Sequence, residues 1–129
     1  MNRLLLDTQA LLWWVLGDLR MPERVRAVVL QTPRVLVSPV SAWEIRTKHR
    51  LGKLPEAEPA LVVGLAEVVR LHEFGELPIT FADGDRAGAF AQDHKDPFDR
   101  MLAAQALHHG LPLVSNDEAL DAFGVERVW

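Results

Sequence analysis

Four carboxylates stand where short apolar runs give way to helical patterns. Asp7 follows Leu4-Leu5-Leu6, and Glu44 lies a turn into the helix after Ser38-Pro39-Val40-Ser41, which itself follows Val35-Leu36-Val37. Asp99 sits in Asp96-Pro97-Phe98-Asp99, the opening of a long helical pattern, and Asp117 follows Leu113-Val114-Ser115-Asn116. Carboxylates brought together repel, and within about 4–6 Å they raise each other's pKa unless something offsets the charge. A hard divalent cation does so, since Mg²⁺ or Mn²⁺ takes oxygen ligands and keeps several waters. Such an ion activates water and stabilises charge on a phosphoryl oxygen. The chemistry these residues can do together is phosphodiester hydrolysis.

The elements must deliver these acids to one place. Arg3–Leu6, Val35–Val37, Leu77–Thr80, Leu113–Val114 and Val125–Val128 read as five short strands. Between them, helical patterns run over Thr8–Leu16, Pro22–Gln31, Ser41–Leu51, Ala60–Leu71, Ala82–Phe90, Pro97–His109 and Glu118–Phe123. Strands that are continuously apolar and alternate with helices predict a parallel sheet buried on both faces. The expected fold is α/β, a three-layer α/β/α sandwich around a central parallel five-stranded sheet. In such sheets, sites form beyond the carboxyl ends of the strands, at a topological switch point. Three strand ends then place carboxylates along one edge.

Each acid also has a plain capping explanation. Ser41-Ala42-Trp43-Glu44 matches a capping box. Asp96 before Pro97 is a helix start with an acid near the positive dipole end. Asp7 and Asn116 or Asp117 suit the N-caps of the helices that follow them. What distinguishes the chemical reading is the joint pattern.

Composition narrows the function. The 129 residues are 49% apolar and 25% charged, which fits one soluble globular domain and excludes global disorder. The apolar run Ala10–Leu16 falls well short of the roughly 18 residues of a membrane span. The N-terminal leucine run ends at Asp7 and does not read as a signal peptide, so the expected compartment is cytoplasmic. The absence of cysteine removes disulfides, thiolate zinc sites and cysteine nucleophiles. With 18 acidic and 14 basic residues, the net charge of −4 argues against a plain nucleic-acid binder. An acidic protein acting on nucleic acid needs a cation between itself and the phosphates, as the four carboxylates already imply.

The same residues resemble a known family. Leu4-Leu5-Leu6-Asp7-Thr8, Val37-Ser38-Pro39-Val40-Ser41-Ala42-Trp43-Glu44-Ile45, the long segment His94 to Ala106 and Val114-Ser115-Asn116-Asp117 resemble PIN-domain ribonucleases, specifically VapC-like toxins of bacterial toxin–antitoxin pairs. The resemblance runs nearly end to end, and His94 to Ala106 is its most specific part. It implies one PIN domain over 1–129, with metal-dependent endoribonuclease activity using Mg²⁺ or Mn²⁺. It places the catalytic and metal-binding acids at Asp7, Glu44, Asp99 and Asp117, with Asp7 and Asp99 the principal ligands. Thr8 and Ser115 would supply supporting hydroxyls, Ser115 standing where many relatives carry threonine. Asp96 reads as the helix cap. The implied partners are RNA and a small VapB-like antitoxin, whose tail could place a cation among the acids.

For the substrate path, the basic run from Arg46 to Lys53 begins one turn from Glu44, so Arg46 and Lys48 are RNA-binding candidates, with Arg100 on the other side. Glu44 and Lys48 are also an ordinary i,i+4 pair. His108 and His109 fall at a helix end and suit its dipole, so no histidine ligand is expected. Trp13, Trp14, Trp43 and Trp129 read as core or interface residues. Because adjacent Trp13 and Trp14 cannot both face one narrow core stripe, a homodimer through that helix is expected. Two other classes fit poorly. A receiver domain needs an acidic pair after the first strand and an aspartate after the third, where Thr80-Phe81 stands. A haloacid-dehalogenase-type phosphatase needs an aspartate at Gln9. The remaining alternative is a PIN fold serving as a nucleic-acid-binding module or stand-alone RNA-processing module, and binding modules usually lose part of the quartet that this chain retains.

Overall fold

Leu4, Leu5 and Leu6 expose no surface, because their strand is the middle one of the sheet. In the computed structural model, which describes residues 1–129, β1 (Arg3–Leu6) is flanked by β2 (Arg34–Val37) and β4 (Leu113–Val114). β3 (Gly75–Glu76) adds beyond β2, and β5 (Arg127–Val128) beyond β4. The order is β3-β2-β1-β4-β5 and every pairing is parallel. The helices are α1 (Thr8–Leu16), α2 (Glu23–Gln31), α3 (Pro39–Arg50), α4 (Glu58–Val63), α5 (Leu65–Leu71), α6 (Phe81–Ala89) and α7 (Pro97–His109).

Successive strand residues face opposite sides, and the core divides accordingly. Leu4, Leu6, Val35 and Val37 pack with Leu11 and Leu12 of α1 and Val25 and Val29 of α2. Leu5, Leu36 and Leu113 pack with Phe98, Leu102, Ala103 and Ala106 of α7. This is the expected three-layer α/β/α arrangement. The apolar runs Leu4–Leu6 and Val35–Val37 are explained by it, since the centre of the sheet is covered on both faces.

Several boundaries differ from expectation. The helix expected over Ala60–Leu71 is two helices, broken at Gly64 with φ 98° and ψ 131°. A strand expected at Leu77–Thr80 instead pairs at Gly75–Glu76. Leu77 N–H still reaches Val37 O at 2.8 Å, but Pro78 has no N–H to continue the ladder. The Gln105 side-chain amide takes up the carbonyls of Leu77 and Pro78 instead, at 3.0 and 3.3 Å. A Cβ at Gly75 would lie 2.8 Å from Leu36 Cδ2, so any larger residue there would have to displace the tip of that buried leucine. The turn Glu118–Phe123 is a 3₁₀ helix, and β5 is only Arg127–Val128.

Trp13 and Trp14 do not form the shared exposed patch expected of a dimer seam. Trp13 is buried against Trp129, with ring centroids 5.8 Å apart, and Trp14 packs on Phe74 at 6.4 Å. Each indole of α1 therefore has its own partner within the chain, so the two rings do not form one exposed patch. The large exposed apolar residues lie elsewhere and include Trp43, Ile79 and Phe81. No helix is long and apolar enough to cross a membrane.

Candidate active site

The strand order reverses between β1 and β4, where the chain leaves β1 first toward β2 and later returns to β4 on the other side. That is the switch point at which the loops diverge and open a crevice. A cleft of ≈ 430 Å³ opens there, lined among others by Asp7, Glu44, Lys48, Asp96, Asp99 and Asp117. Five carboxylates and a single ammonium therefore share one crevice.

Each acid is placed by a local rule. Asp7 ends β1 and caps α1, its Oδ1 accepting the Ala10 N–H at 2.8 Å. Asp117 follows β4 and caps the 3₁₀ turn through Oδ1 and the Ala119 N–H. Capping and chemistry are not alternatives at these positions, because a cap uses one carboxylate oxygen and leaves the other. Asp96 is the cap of α7, accepting the N–H groups of Phe98 and Asp99. That frees Asp99, one turn in, to face the cleft.

The capping box at Ser41–Glu44 is not formed. Helix α3 begins two residues earlier, at Pro39, and its cap is Ser38, whose Oγ accepts the Val40 N–H at 3.1 Å. Glu44 is thereby left for the site. Its Oε2 lies 2.5 Å from Lys48 Nζ, while its Oε1 is buried with no hydrogen-bond partner. A buried, unpaired carboxylate oxygen costs a few kcal/mol in desolvation, so this atom requires a cation or donor.

Electrostatics point the same way. Burial pushes Asp7 up to about 7; the nearby Ser115 hydroxyl and the Ala10 N–H work against this, and Asp99 and Glu44 add to it. Burial likewise carries Asp99 up to about 6, opposed by its hydrogen bond from His94 and reinforced by Asp96 and Glu44. Burial would lower Lys48, but pairing with Glu44, with Asp96 and Asp99 behind it, raises it instead. The site holds more negative charge than one lysine neutralises. Its residues fit a divalent cation.

The supporting residues sort differently from expectation. The Thr8 hydroxyl donates to Ser41 Oγ at 2.9 Å, fastening α1 to α3, and does not address a carboxylate. Ser115 is fully buried, accepts the Asp117 N–H at 3.0 Å and stands beside Asp7. Arg46 is exposed and lines no part of the cleft, whereas Lys48 lies within it. Arg100 is not free to bind RNA. Its guanidinium donates to the backbone carbonyls of Ala87, Phe90, Gln92 and His94 at 2.7–2.9 Å and reaches Gly88 O at 3.4 Å. His108, at the end of α7 as expected, is bonded through Nδ1 to the buried Asp83 at 2.7 Å.

One site residue had no assigned role in the sequence. His94 Nε2 lies 2.9 Å from Asp99 Oδ2. The two are five residues apart across a non-helical segment, a spacing that marks no periodic face, so only the tertiary structure pairs them.

A parallel sheet of this order with an acid-lined crevice at its switch point defines a class of doubly wound α/β proteins. The chain belongs to the PIN domain family, whose model matches residues 4–126. PIN domains are nucleases. No curated protein matches the sequence. Among solved structures it is similar to DNA-bound VapBC from Salmonella typhimurium, at 22% identity, TM-score 0.68 and coverage of 99% of this chain and 98% of that one. It is also similar to FitAcB from Neisseria gonorrhoeae, at 20% identity, TM-score 0.71 and coverage of 98% and 96%. VapBC2 from Rickettsia felis bound to a promoter DNA fragment matches at 11% identity, TM-score 0.68 and 98% coverage of each chain. At these identities the likeness is one of fold.

Proposed function

We propose that the chain is a metal-dependent endoribonuclease acting as the toxin of a VapBC-type pair. The observation that carries this reading is the orphaned Glu44 Oε1, buried in a cleft where four other carboxylates and one lysine meet. Asp7, Glu44, Asp99 and Asp117 would hold Mg²⁺ or Mn²⁺. When bound, the ion supplies Lewis-acid polarisation of a phosphoryl oxygen and acidifies a water. The chain's own part is positional. The caps made by Asp7 and Asp117 fix those carboxylates against rotation, and Ser115 supports both. Lys48, held by Glu44 at the cleft wall, is the cation available to a substrate phosphate. A binding module without cleavage has no need of all four acids in one cleft, and their retention favours the nuclease over that alternative.

An active nuclease in the cytoplasm requires restraint, and the neighbours from Salmonella, Neisseria and Rickettsia are complexes with partner proteins. The second cleft of this molecule suits such a partner. It is lined mostly by apolar side chains of α1, α3 and α5, including Leu11, Val15, Ile45, Leu65 and Val69. Leu12 lines both clefts, so the apolar and acidic ones are neighbours across one side chain. An antitoxin tail with apolar residues followed by an arginine or lysine would fill the first and pair with the carboxylates of the second.

The test is RNA cleavage by the wild type, Asp99→Asn and wild type in excess EDTA. Cleavage should occur only in the first, and induced expression should arrest growth only with the wild type. Normal cleavage by the variant, or in EDTA, would sink the mechanism. Failure of a co-expressed neighbouring small protein to bind and inhibit would sink the toxin assignment while leaving the nuclease standing.

A further inference from the structure

His94 is better placed than a residue that only flanks the site. Its side chain is four-fifths buried, as is that of Asp99. Its ring meets Phe123 edge-on, with centroids 5.5 Å apart at 73°. Its backbone carbonyl is gripped by the Arg100 guanidinium at 2.9 Å. Ring and backbone are thus both fixed before any ligand arrives. The fixed ring brings Nε2 to 2.9 Å from Asp99 Oδ2, and one ligand atom from each of His94, Asp99 and Asp117 lies within 4.8 Å of the others. Two adjacent ligands of an octahedral ion with bonds of about 2.1 Å stand about 3 Å apart, close to the separation of the His94 and Asp99 atoms.

We infer that His94 is a nitrogen ligand of the acidic site, its Nε2 exchanging the hydrogen bond to Asp99 for the ion with the ring in its Nδ1–H tautomer, and that it tunes the site toward a first-row transition ion such as Mn²⁺ over Mg²⁺. The inference rests on the metal reading given above and specifies which ion that reading favours. An imidazole gives Mg²⁺ little that another water would not, because Mg²⁺ prefers oxygen and dehydrates reluctantly. A first-row transition ion gains from the exchange: imidazole suits Fe²⁺ and Ni²⁺ most, and Mn²⁺, which also takes oxygen ligands, stands at the weak end of the affinity order and is the strictest probe of the effect. The competing role for His94 is positioning alone, in which it orients Asp99 by a hydrogen bond. That role would weaken every cation equally when removed. Ligation weakens the nitrogen-accepting ion selectively.

The experiment reads metal binding in the absence of RNA. Mn²⁺ is titrated into wild type, His94→Ala and His94→Gln and followed by the electron paramagnetic resonance of free Mn²⁺, and Mg²⁺ is measured by competition. In the bound Mn²⁺ samples, nitrogen couplings from a coordinated imidazole are sought by pulsed spectroscopy. Wild type should bind Mn²⁺ at least about tenfold more tightly than Mg²⁺ and show a nitrogen coupling. His94→Ala should lose the coupling and about tenfold in Mn²⁺ affinity, with Mg²⁺ altered less than about threefold. His94→Gln keeps a hydrogen-bond donor toward Asp99 and should restore folding stability but not the coupling. Equal weakening of both ions, or a coupling absent in wild type or intact in His94→Ala, overturns ligation and leaves positioning. Failure of wild type to bind either ion overturns the metal reading itself, a result distinct from the others.

Discussion

Lys48 Nζ lies 2.5 Å from Glu44 Oε2, while the other oxygen of the same carboxylate is buried with no partner. One turn of α3 therefore supplies the cleft with an internal cation that satisfies half of the group it faces. A bound ion competes with that cation for Glu44. Lys48→Met should raise divalent-ion affinity by about three- to tenfold, because a like charge leaves the site. It should at the same time lower RNA cleavage by about tenfold or more, because the cleft loses the group that can meet a phosphate. Metal titration alongside a cleavage assay reads both. Parallel loss of metal affinity and cleavage would show instead that Lys48 holds the site together.

The acids make stability depend on pH in an unusual direction. Asp7 sits at about 7 in the folded protein against 3.8 for the free group, and Asp99 at about 6. Between pH 4 and 7 the folded state retains protons that the unfolded chain has released, so the metal-free protein loses stability as pH rises through that window. Above about 7 the loss is complete. Ionising a buried carboxyl shifted this far costs on the order of 3–4 kcal/mol. Asp7→Asn keeps the helix cap and removes the charge, so it should stabilise the metal-free protein at pH 8 by roughly 2–4 kcal/mol. Added Mg²⁺ or Mn²⁺ should stabilise wild type more at pH 8 than at pH 5. Thermal unfolding across pH 4.5–8 is the measurement, and a flat profile for wild type would refute the account.

Gly64 divides a continuous apolar pattern into two helices. The apolar spacing from Ala60 to Leu71 is continuous enough to suggest one helix, yet the backbone at Gly64 turns to φ 98° and ψ 131° and starts another. A Cβ there would meet nothing within 4 Å, so the demand for glycine is conformational and not steric. Gly64→Ala should cost about 1–2 kcal/mol through strain at that angle alone. Urea unfolding checks it, and an unchanged midpoint would mean that α4 and α5 can fuse at no cost.

The acids were legible because their positions obey rules written in short stretches of sequence. An aspartate after an apolar triplet, or beside a proline at a helix start, declares a strand end or a helix opening, and the parallel topology brings those ends together. The α/β/α layering was legible for the same reason, from Leu4-Leu5-Leu6 and Val35-Leu36-Val37. What could not be read depends on partners distant in the chain. Trp13 finds Trp129 across more than a hundred residues, His94 meets Asp99 only through a loop held from behind, and Glu44 is a site residue because α3 starts at Pro39. Charge alone also misleads about arginine: Arg46 and Arg100 look alike in sequence, yet one is in solvent and the other is enclosed by carbonyls.

Arg100 donates to five backbone carbonyls between Ala87 and His94, and these belong to the end of α6 and the segment leading into α7. A planar guanidinium can satisfy several fixed acceptors at once, which a lysine ammonium cannot. Arg100→Ala leaves those carbonyls to water or unpaired and should destabilise the fold by about 2–4 kcal/mol. Arg100→Lys should recover little of that loss even though the charge is restored. Because the guanidinium is already committed to backbone, neither change should alter the salt dependence of RNA binding, which reports the number of phosphates contacted. The discriminating measurements are thermal unfolding and RNA affinity at several salt concentrations, using cleavage-inactive Asp99→Asn as the background. A normal melting temperature together with a shallower salt slope would return Arg100 to the RNA-binding surface. A lowered melting temperature with an unchanged slope identifies it as the clamp that holds the segment carrying His94.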